Sequence, residues 1–500
     1  MSRIFTNVGA NLLGRGVVVL ATLFAFPIYL RFLGPEACGM LGFFQTLFVF
    51  ATIFDLGVGL TFNKTLAEYG KTDKEKAADL LVTLEVVYVV FGLVLGVAAL
   101  LFTKTMASSW FSVEEMTADE VYRSLQLMSL CLVVYWPYLL YSNGMMGIGS
   151  QVECNLIQVV MTVLRTVGAA FGVYFLQASL QQVFLWYAMT FLIQSAWSRI
   201  WLRMKLGAGT WGKFNSKLLA EIRKFAGGMG MLSLTAVVLM QIDKVILSTT
   251  LLLQEYGFYT LIYSLASSLL FISSPVFLAF FPVLSSAVAR KDRSTLKREF
   301  LRGSSLMALL VIPVAAVLIF FSFDILHLWM GARCSISANE CLVFSLLVMG
   351  FALNTLIVIP YALQLAYGWT RLNLVQNLIA ISIFVPMLLL ASPMYRSLGA
   401  AVCWFTLNLC YYVIGMPFVF RKVLRSEKRN WYVQATGIPL AIGLFLGGGL
   451  RLLGSSMQLP LLVNMIAVYL AIFTAIAALC RKEICWSLPN FSSLKKLFAT

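Results

Sequence analysis

The stretch Leu80-Leu-Val-Thr-Leu-Glu-Val-Val-Tyr-Val-Val-Phe-Gly-Leu-Val-Leu-Gly-Val-Ala-Ala-Leu-Leu-Phe-Thr103 carries a single charged residue. About 20 predominantly apolar residues in a helix cross the hydrocarbon core of a bilayer. The stretch therefore reads as a membrane-spanning helix, and Glu85 as a carboxylate that must find protein or water. Working outward, comparable runs occupy roughly 8–31, 39–63, 122–147, 154–177, 180–202, 225–251, 256–285, 303–323, 337–366, 374–393, 398–420, 433–453 and 458–480. With 80–103 these make fourteen candidate crossings. The narrowest breaks are Gly147–Glu153 and Gln177–Gln182; fusing across one would leave thirteen and put the termini on opposite sides. The whole composition agrees: 60% hydrophobic, 12% charged, mean hydropathy +0.89 over 500 residues.

A net charge of +16 would raise the question of nucleic acid in a soluble protein. Here the basic residues fall between apolar runs. With a cytoplasmic N-terminus and fourteen crossings, 28 of the 37 Lys and Arg residues lie inside, 6 outside and 3 within spans. That asymmetry is the positive-inside pattern, with both termini cytoplasmic. It accounts for the basic balance without a nucleic-acid partner.

Enzymatic and metal chemistry find little to work with. The sequence has one histidine, His327, and nine cysteines without C-x-x-C spacing. Cys334 and Cys341 are close enough along the chain to pair near the outer face. Gly207-Ala-Gly-Thr-Trp-Gly-Lys213 imitates a phosphate loop, but an apolar helix precedes it and Phe214 follows the lysine. It reads as a flexible basic linker. The first apolar run contains Arg15 and lacks a small-residue cleavage pattern, so it is expected to persist as the first helix. No cofactor is implied, and an enzyme is not expected.

Weak internal similarity divides the chain. Gly9 and Gly227, Gly39 and Gly257, and Asn155-Leu-Ile-Gln158 and Asn373-Leu-Val-Gln376 are all 218 residues apart. Pro137-Tyr138 and Pro360-Tyr361 recur at an offset five residues longer. The expected organisation is an N-terminal lobe of six helices over 1–202 and a basic cytoplasmic connector over 203–224. A second six-helix lobe follows over 225–420, then two further helices and a basic tail over 421–500. An even number of helices per repeat gives both repeats the same orientation. The fold class is all-α and polytopic, two six-helix lobes around a central cavity plus two C-terminal helices.

Six ionisable groups fall inside spans: Arg15, Asp55, Glu85, Arg165, Asp243 and Lys244. A charge at mid-membrane costs roughly 2.5–3.5 kcal/mol on insertion scales, so each should face protein or a wet cavity. At 1.5 Å per residue, Arg15 and Asp55 lie at similar depth, about seven or eight residues from the inner edge, and could pair. Glu85 lies near the same end and would touch interfacial water. Arg165 falls near mid-membrane, and Asp243-Lys244 in the outer third of its helix, where the lysine could snorkel outward. One reading treats these as structural ion pairs. The other makes Arg15, Arg165 and Lys244 a cationic ladder for an anionic substrate, with Asp55, Glu85 and Asp243 as ion-pair or coupling groups.

Tyr29-Leu-Arg-Phe-Leu-Gly-Pro-Glu-Ala-Cys-Gly39, Asp55-Leu-Gly57 and Leu66-Ala-Glu68 together resemble the opening signature of Wzx-type polysaccharide flippases. These belong to the multidrug/oligosaccharidyl-lipid/polysaccharide exporter (MOP) superfamily. The likeness continues through Gln241-Ile-Asp-Lys-Val-Ile-Leu247, Tyr256-Gly-Phe-Tyr259, Pro282-Val-Leu-Ser285 and Leu398-Gly-Ala-Ala401, covering about the first 420 residues. The resemblance implies twelve core helices around a cavity, often with two more, and alternating access. It also implies a polyprenyl-pyrophosphate-linked oligosaccharide, such as an O-antigen repeat unit, moved to the outer leaflet of the bacterial inner membrane. Polysaccharide polymerase and assembly proteins are further candidate partners. An ion-coupled exporter of drugs or other small molecules on the same fold is the alternative; there the carboxylates would bind the coupling ion.

Overall fold

The computed structural model describes residues 2–55, 57–207, 212–331 and 336–481, with the side chains of 2–13, 15, 53, 70–72 and 220–233 outside the description. Among the described residues the chain is helical. The main elements are α1 (Ser2–Leu33), α2 (Pro35–Ile53), α3 (Val58–Thr72), α4 (Lys74–Ser109), α5 (Ala118–Gly147), α6 (Gln151–Leu176) and α7 (Leu180–Leu206). There follow α8 (Ser216–Thr250), α9 (Leu253–Ser267), α10 (Leu270–Ala289), α11 (Arg293–Phe320), α12 (Ser322–Met330), α13 (Ala338–Leu356) and α14 (Val358–Ala366). The chain continues through α15 (Thr370–Cys410), α16 (Met416–Lys422), α17 (Lys428–Asn430), α18 (Ile438–Ser456) and α19 (Leu461–Leu479).

Local chemistry sets many of these boundaries. Thr117 and Glu120, Ser179 and Gln182, and Ser337 and Glu340 form reciprocal capping boxes that start α5, α7 and α13. Asp292 caps α11 by accepting from the Ser294 and Thr295 amides, and these hydrogen bonds hold its carboxyl down at about 2. Both narrow breaks anticipated from the sequence are present. The chain turns between α5 and α6 at Ile148–Ser150, and α6 ends on Gln177 in the left-handed region before the Ser179 cap.

Ten helical stretches are long and apolar enough to cross a membrane by length and composition. One of them, Thr370–Lys422, is continuous over 53 residues, or roughly 80 Å of helix. That is too long for one crossing of a core about 30 Å thick. Arg396, at φ 51 and ψ −135, kinks it into two. Of the fourteen segments expected from the sequence, 39–63, 180–202 and 225–251 are not among the ten. The first is broken between α2 and α3, where Gly57 takes φ 79. The second, α7, carries Gln194, Ser195, Ser198 and Arg199 along its length. The third lies partly outside the described side chains.

The chain forms two compact units, Met1–Leu261 with Asn377–Ala400, and Ile262–Gln376 with Ala401–Thr500. In the first, α5 packs along α4 and α7, α1 along α6, and α2 against α8. A fully buried core of Phe62, Leu66, Leu80, Leu84, Leu140 and Met145 joins α3, α4 and α5. In the second unit α11 is central, packed by α10, α13, α18 and α19. Two π-helical turns, Tyr411–Gly415 and Trp431–Gly437, flank the connection toward α18. Trp431, which opens the second turn, is fully buried, its indole N–H donating to the Ser304 hydroxyl at 3.1 Å. Tyr412, Phe420 and Tyr432 pack around it. This knot fastens the C-terminal helices to α11. Trp431→Ala is expected to cost about 3–5 kcal/mol of stability, read as a lowered unfolding midpoint of the purified protein in detergent.

Candidate functional site: a cationic cavity and hydrogen-bonded carboxylates

The first unit holds a cavity of about 310 Å³ between α1, α2, α6 and α7. Arg165, on α6, is only 8% exposed and lines it. Its Nη1 donates to Gln194 Oε1 and its Nη2 to Thr162 Oγ1, both at 3.1 Å, and its guanidinium lies 3.9 Å from the centre of the Phe191 ring. All three partners are neutral. Phe44, Phe48 and Phe191 supply an aromatic wall, with Phe48 stacked on Phe191. At one end the Tyr29 hydroxyl donates to the Thr166 carbonyl at 2.8 Å and meets the Tyr187 hydroxyl.

The other ionisable groups are each engaged. Glu85 accepts from Tyr141 at 2.6 Å, from Arg203 Nη2 at 2.7 Å and from Arg199 Nε. Only 8% exposed, it ties α4 to α5 and α7. Arg203, expected in the connector 203–224, belongs instead to α7, which carries Arg199 as well and runs on to Leu206. Asp55 sits at the break between α2 and α3, accepting from the Tyr88 hydroxyl and from the Gly59 amide at 3.1 Å. Its expected partner Arg15 lies outside the described side chains. Asp243 accepts from Tyr259 at 2.8 Å and from Lys244 at 3.2 Å. Lys244 does not snorkel: it is 6% exposed and also donates to the Met240 carbonyl. It is not among the residues lining the Arg165 cavity, so no described contact joins these two rungs of the expected ladder.

Two features escaped the sequence reading. Glu36, 1% exposed, accepts from the backbone amides of Glu114 at 2.6 Å, Glu115 at 3.2 Å and Met116 at 2.6 Å. It pins the loop between α4 and α5 to the start of α2. The second is a crossing of α2 and α9 with almost no side chain between them. A Cβ on Gly39 would lie 2.5 Å from the Leu253 carbonyl oxygen, and one on Gly257 would overlap the Pro35 carbonyl. A Cβ on Gly42 would lie 2.5 Å from Thr260 Oγ1. Pro35, Gly39 and Gly42 stand 218 residues before Leu253, Gly257 and Thr260. The contacts are therefore reciprocal at that offset, as across a two-fold axis. The glycine pair was visible in the sequence as a repeat, but not as a contact.

Three expected features lie on undescribed residues. Cys334 is one, which leaves its pairing with Cys341 outside the description. Residues 208–211 of the phosphate-loop imitation are another, although the remainder of that loop is anchored. The Lys213 amide donates to Asp79 at 2.6 Å and the Asn215 amide to Thr83 at 2.9 Å, so this part is not a flexible linker. The basic tail beyond residue 481 is the third.

Residues 4–288, more than half of the chain, match the family described as polysaccharide biosynthesis protein. The chain belongs to that family. It is 21% identical over 402 residues to a Shigella flexneri protein named for O-antigen transport, covering 79% of this chain and 92% of the relative. Its fold matches the lipid II flippase MurJ in an inward closed conformation, with a TM-score of 0.72 at 14% identity over 94% of this chain and 98% of that one. An inward-facing multidrug resistance MATE family transporter of the MOP superfamily gives 0.69 at 14% identity, over 83% and 99%. At these identities the structures establish the fold alone, which this chain shares with both. A polysaccharide biosynthesis family is thus joined in this chain to a fold that these two transporters share.

Proposed function

We propose that the protein is a flippase that carries a polyprenyl-pyrophosphate-linked oligosaccharide, an O-antigen or similar repeat unit, from the cytoplasmic to the outer leaflet by alternating access. Fourteen crossings with both termini cytoplasmic fit the charge pattern, and the lobes 1–202 and 225–420, joined by the connector 203–224, would be the moving parts. Residues 421–500 form an appendage. The reciprocal contacts of α2 and α9 at the 218-residue offset support the internal repeat.

The observation that carries the choice of substrate is the sign of the buried charge. The described cavity presents Arg165 and no carboxylate. An exporter of cationic drugs needs the opposite polarity, whereas a pyrophosphate bearing about two negative charges is attracted by it. Arg15, Arg165 and Lys244 are the candidate substrate-facing cations. Asp55, Glu85 and Asp243 are the ion-pair or coupling candidates, and Asp243 already balances Lys244. In a strain with no substitute flippase, deletion is expected to trap lipid-linked repeat units on the cytoplasmic leaflet and abolish surface glycan. Unchanged surface glycan together with altered drug accumulation would instead identify the exporter.

A further inference from the structure

We propose that a second cavity of the first unit, where α1 and α6 end and α5 and α7 begin, binds an uncharged sugar residue. The inference rests on the flippase reading and makes this cavity the place where a delivered glycan is first held. With a cytoplasmic N-terminus α1 runs outward and ends at Leu33, so the cavity lies at the outer face. Its volume is about 480 Å³, within the roughly 300–1,000 Å³ of small-molecule sites. It shares no lining residue with the Arg165 cavity. Val173, which lines it, stands eight residues beyond Arg165 on α6, about 12 Å along the helix.

The walls offer what a sugar ring needs and a phosphate does not. Glu120 is the one ionised lining residue, and no Lys or Arg lines the cavity. Its Oε2 accepts from the Thr117 amide at 2.8 Å and hydroxyl at 3.0 Å, which leaves Oε1 open as an acceptor. Gln177 and Gln181 line the same space, and their side-chain amides have no hydrogen-bond partner among the described residues. Ser179 adds a hydroxyl. An acceptor-only carboxylate beside amides that both donate and accept matches the mixed donors and acceptors of neighbouring sugar hydroxyls. Phe32, 44% exposed, and Met116 give apolar surface for the C–H face of the ring. The carboxylate that accepts from hydroxyls repels phosphate. The two cavities thus divide the sugar and the pyrophosphate of a lipid-linked glycan by charge. The walls are also fixed before a ligand arrives. Buried Glu36 holds the Met116 amide, and two capping boxes hold Glu120 and Ser179. Gln177 ends α6 at φ 52, where its amide and that of Ala178 both donate to the Gly172 carbonyl. Such preorganisation lowers the ordering cost of binding.

The test is saturation-transfer NMR on the full-length protein in lipid nanodiscs. The probes are the methyl glycosides of glucose, galactose, rhamnose and N-acetylglucosamine, with the methyl glycoside of glucuronic acid as the charged control. At least one neutral glycoside is expected to bind saturably in the millimolar range, and the glucuronic acid glycoside is expected not to bind. Gln177→Gly combined with Gln181→Ala removes both amides without breaking a described hydrogen bond, and glycine suits the left-handed backbone at 177. This variant should bind at least tenfold more weakly, while Arg123→Ala, at an exposed ion pair, should bind as the wild type does. Glu120→Gln keeps a capping-box residue but loses the charge, and should admit the glucuronic acid glycoside. Four results would each overturn the proposal: a wild type that binds none of the neutral glycosides, equal binding of the acidic one, undiminished affinity in the double variant, or unchanged exclusion in Glu120→Gln. Failure here alongside deletion that abolishes surface glycan removes the sugar site and leaves the flippase reading standing. Sugar binding in a protein whose deletion leaves surface glycan unchanged removes the flippase reading, and with it the role of the site in glycan delivery.

Discussion

Replacing Gly257 with valine is expected to force the α2–α9 crossing apart and make Cys38 reactive. Cys38 is fully buried on α2, next to Gly39. At Gly257 the obstacle to a side chain is backbone, the Pro35 carbonyl and the Gly39 amide, and neither can rotate away as a side chain would. Overpacking of this kind costs about 1–3 kcal/mol. If separating the helices relieves it, the separated population rises roughly 5- to 150-fold. In the proposed orientation this crossing lies at the outer end of the protein. The measurement is labelling of Cys38 by a membrane-impermeant maleimide, in a background with the other eight cysteines replaced. Because the contacts are reciprocal, Gly39→Val should reproduce the effect. Unaltered labelling in both variants would show that the crossing is not a closure the protein opens.

Glu85→Ala is expected to lose about 3–5 kcal/mol, the usual consequence of removing one member of a buried ion pair. The substitution takes a carboxylate from two guanidinium groups and a tyrosine hydroxyl at once, loosening α4 from α5 and α7. The two arginines should not respond equally. The Arg199 side chain is 48% exposed and that of Arg203 33%, and solvent screening reduces what the more exposed member contributes. The expected order of destabilisation is therefore Glu85→Ala, then Arg203→Ala, then Arg199→Ala, measured by thermal unfolding in nanodiscs. An Arg199→Ala variant as unstable as Glu85→Ala would contradict this picture of the cluster. The second unit builds a comparable arrangement, with buried Glu299 held by Arg298 and Arg302. In each unit a buried carboxylate on one helix gathers two arginines.

Fourteen apolar segments were legible in the sequence because hydropathy is local: about twenty residues suffice to decide whether a helix prefers lipid. Their edges were less legible where polar residues serve a neighbour. Arg203 fell in the connector because an arginine near the end of an apolar run looks the same whether it faces the cytoplasm or a buried Glu85. The break at Asp55–Gly57 was likewise hidden inside one apolar run, and only the backbone places Asp55 against Tyr88 and the Gly59 amide. Tyr259 could have been suspected as a partner of Asp243, since both lie in the motifs that carried the resemblance. Glu36 could not, because its donors are main-chain amides that any residues would supply.

By itself the sequence determined a multi-pass helical membrane chain, its internal offset of 218 residues and a short set of charges inside apolar segments. Those properties follow from composition over one helix length and from spacing along the chain. Only the tertiary structure decided which charges are balanced. Asp243 neutralises Lys244 from the next position in sequence, Glu85 draws partners from more than a hundred residues away, and Arg165 meets only neutral groups. Electrostatic balance depends on distances of a few ångströms between helices, and hydropathy carries no record of them.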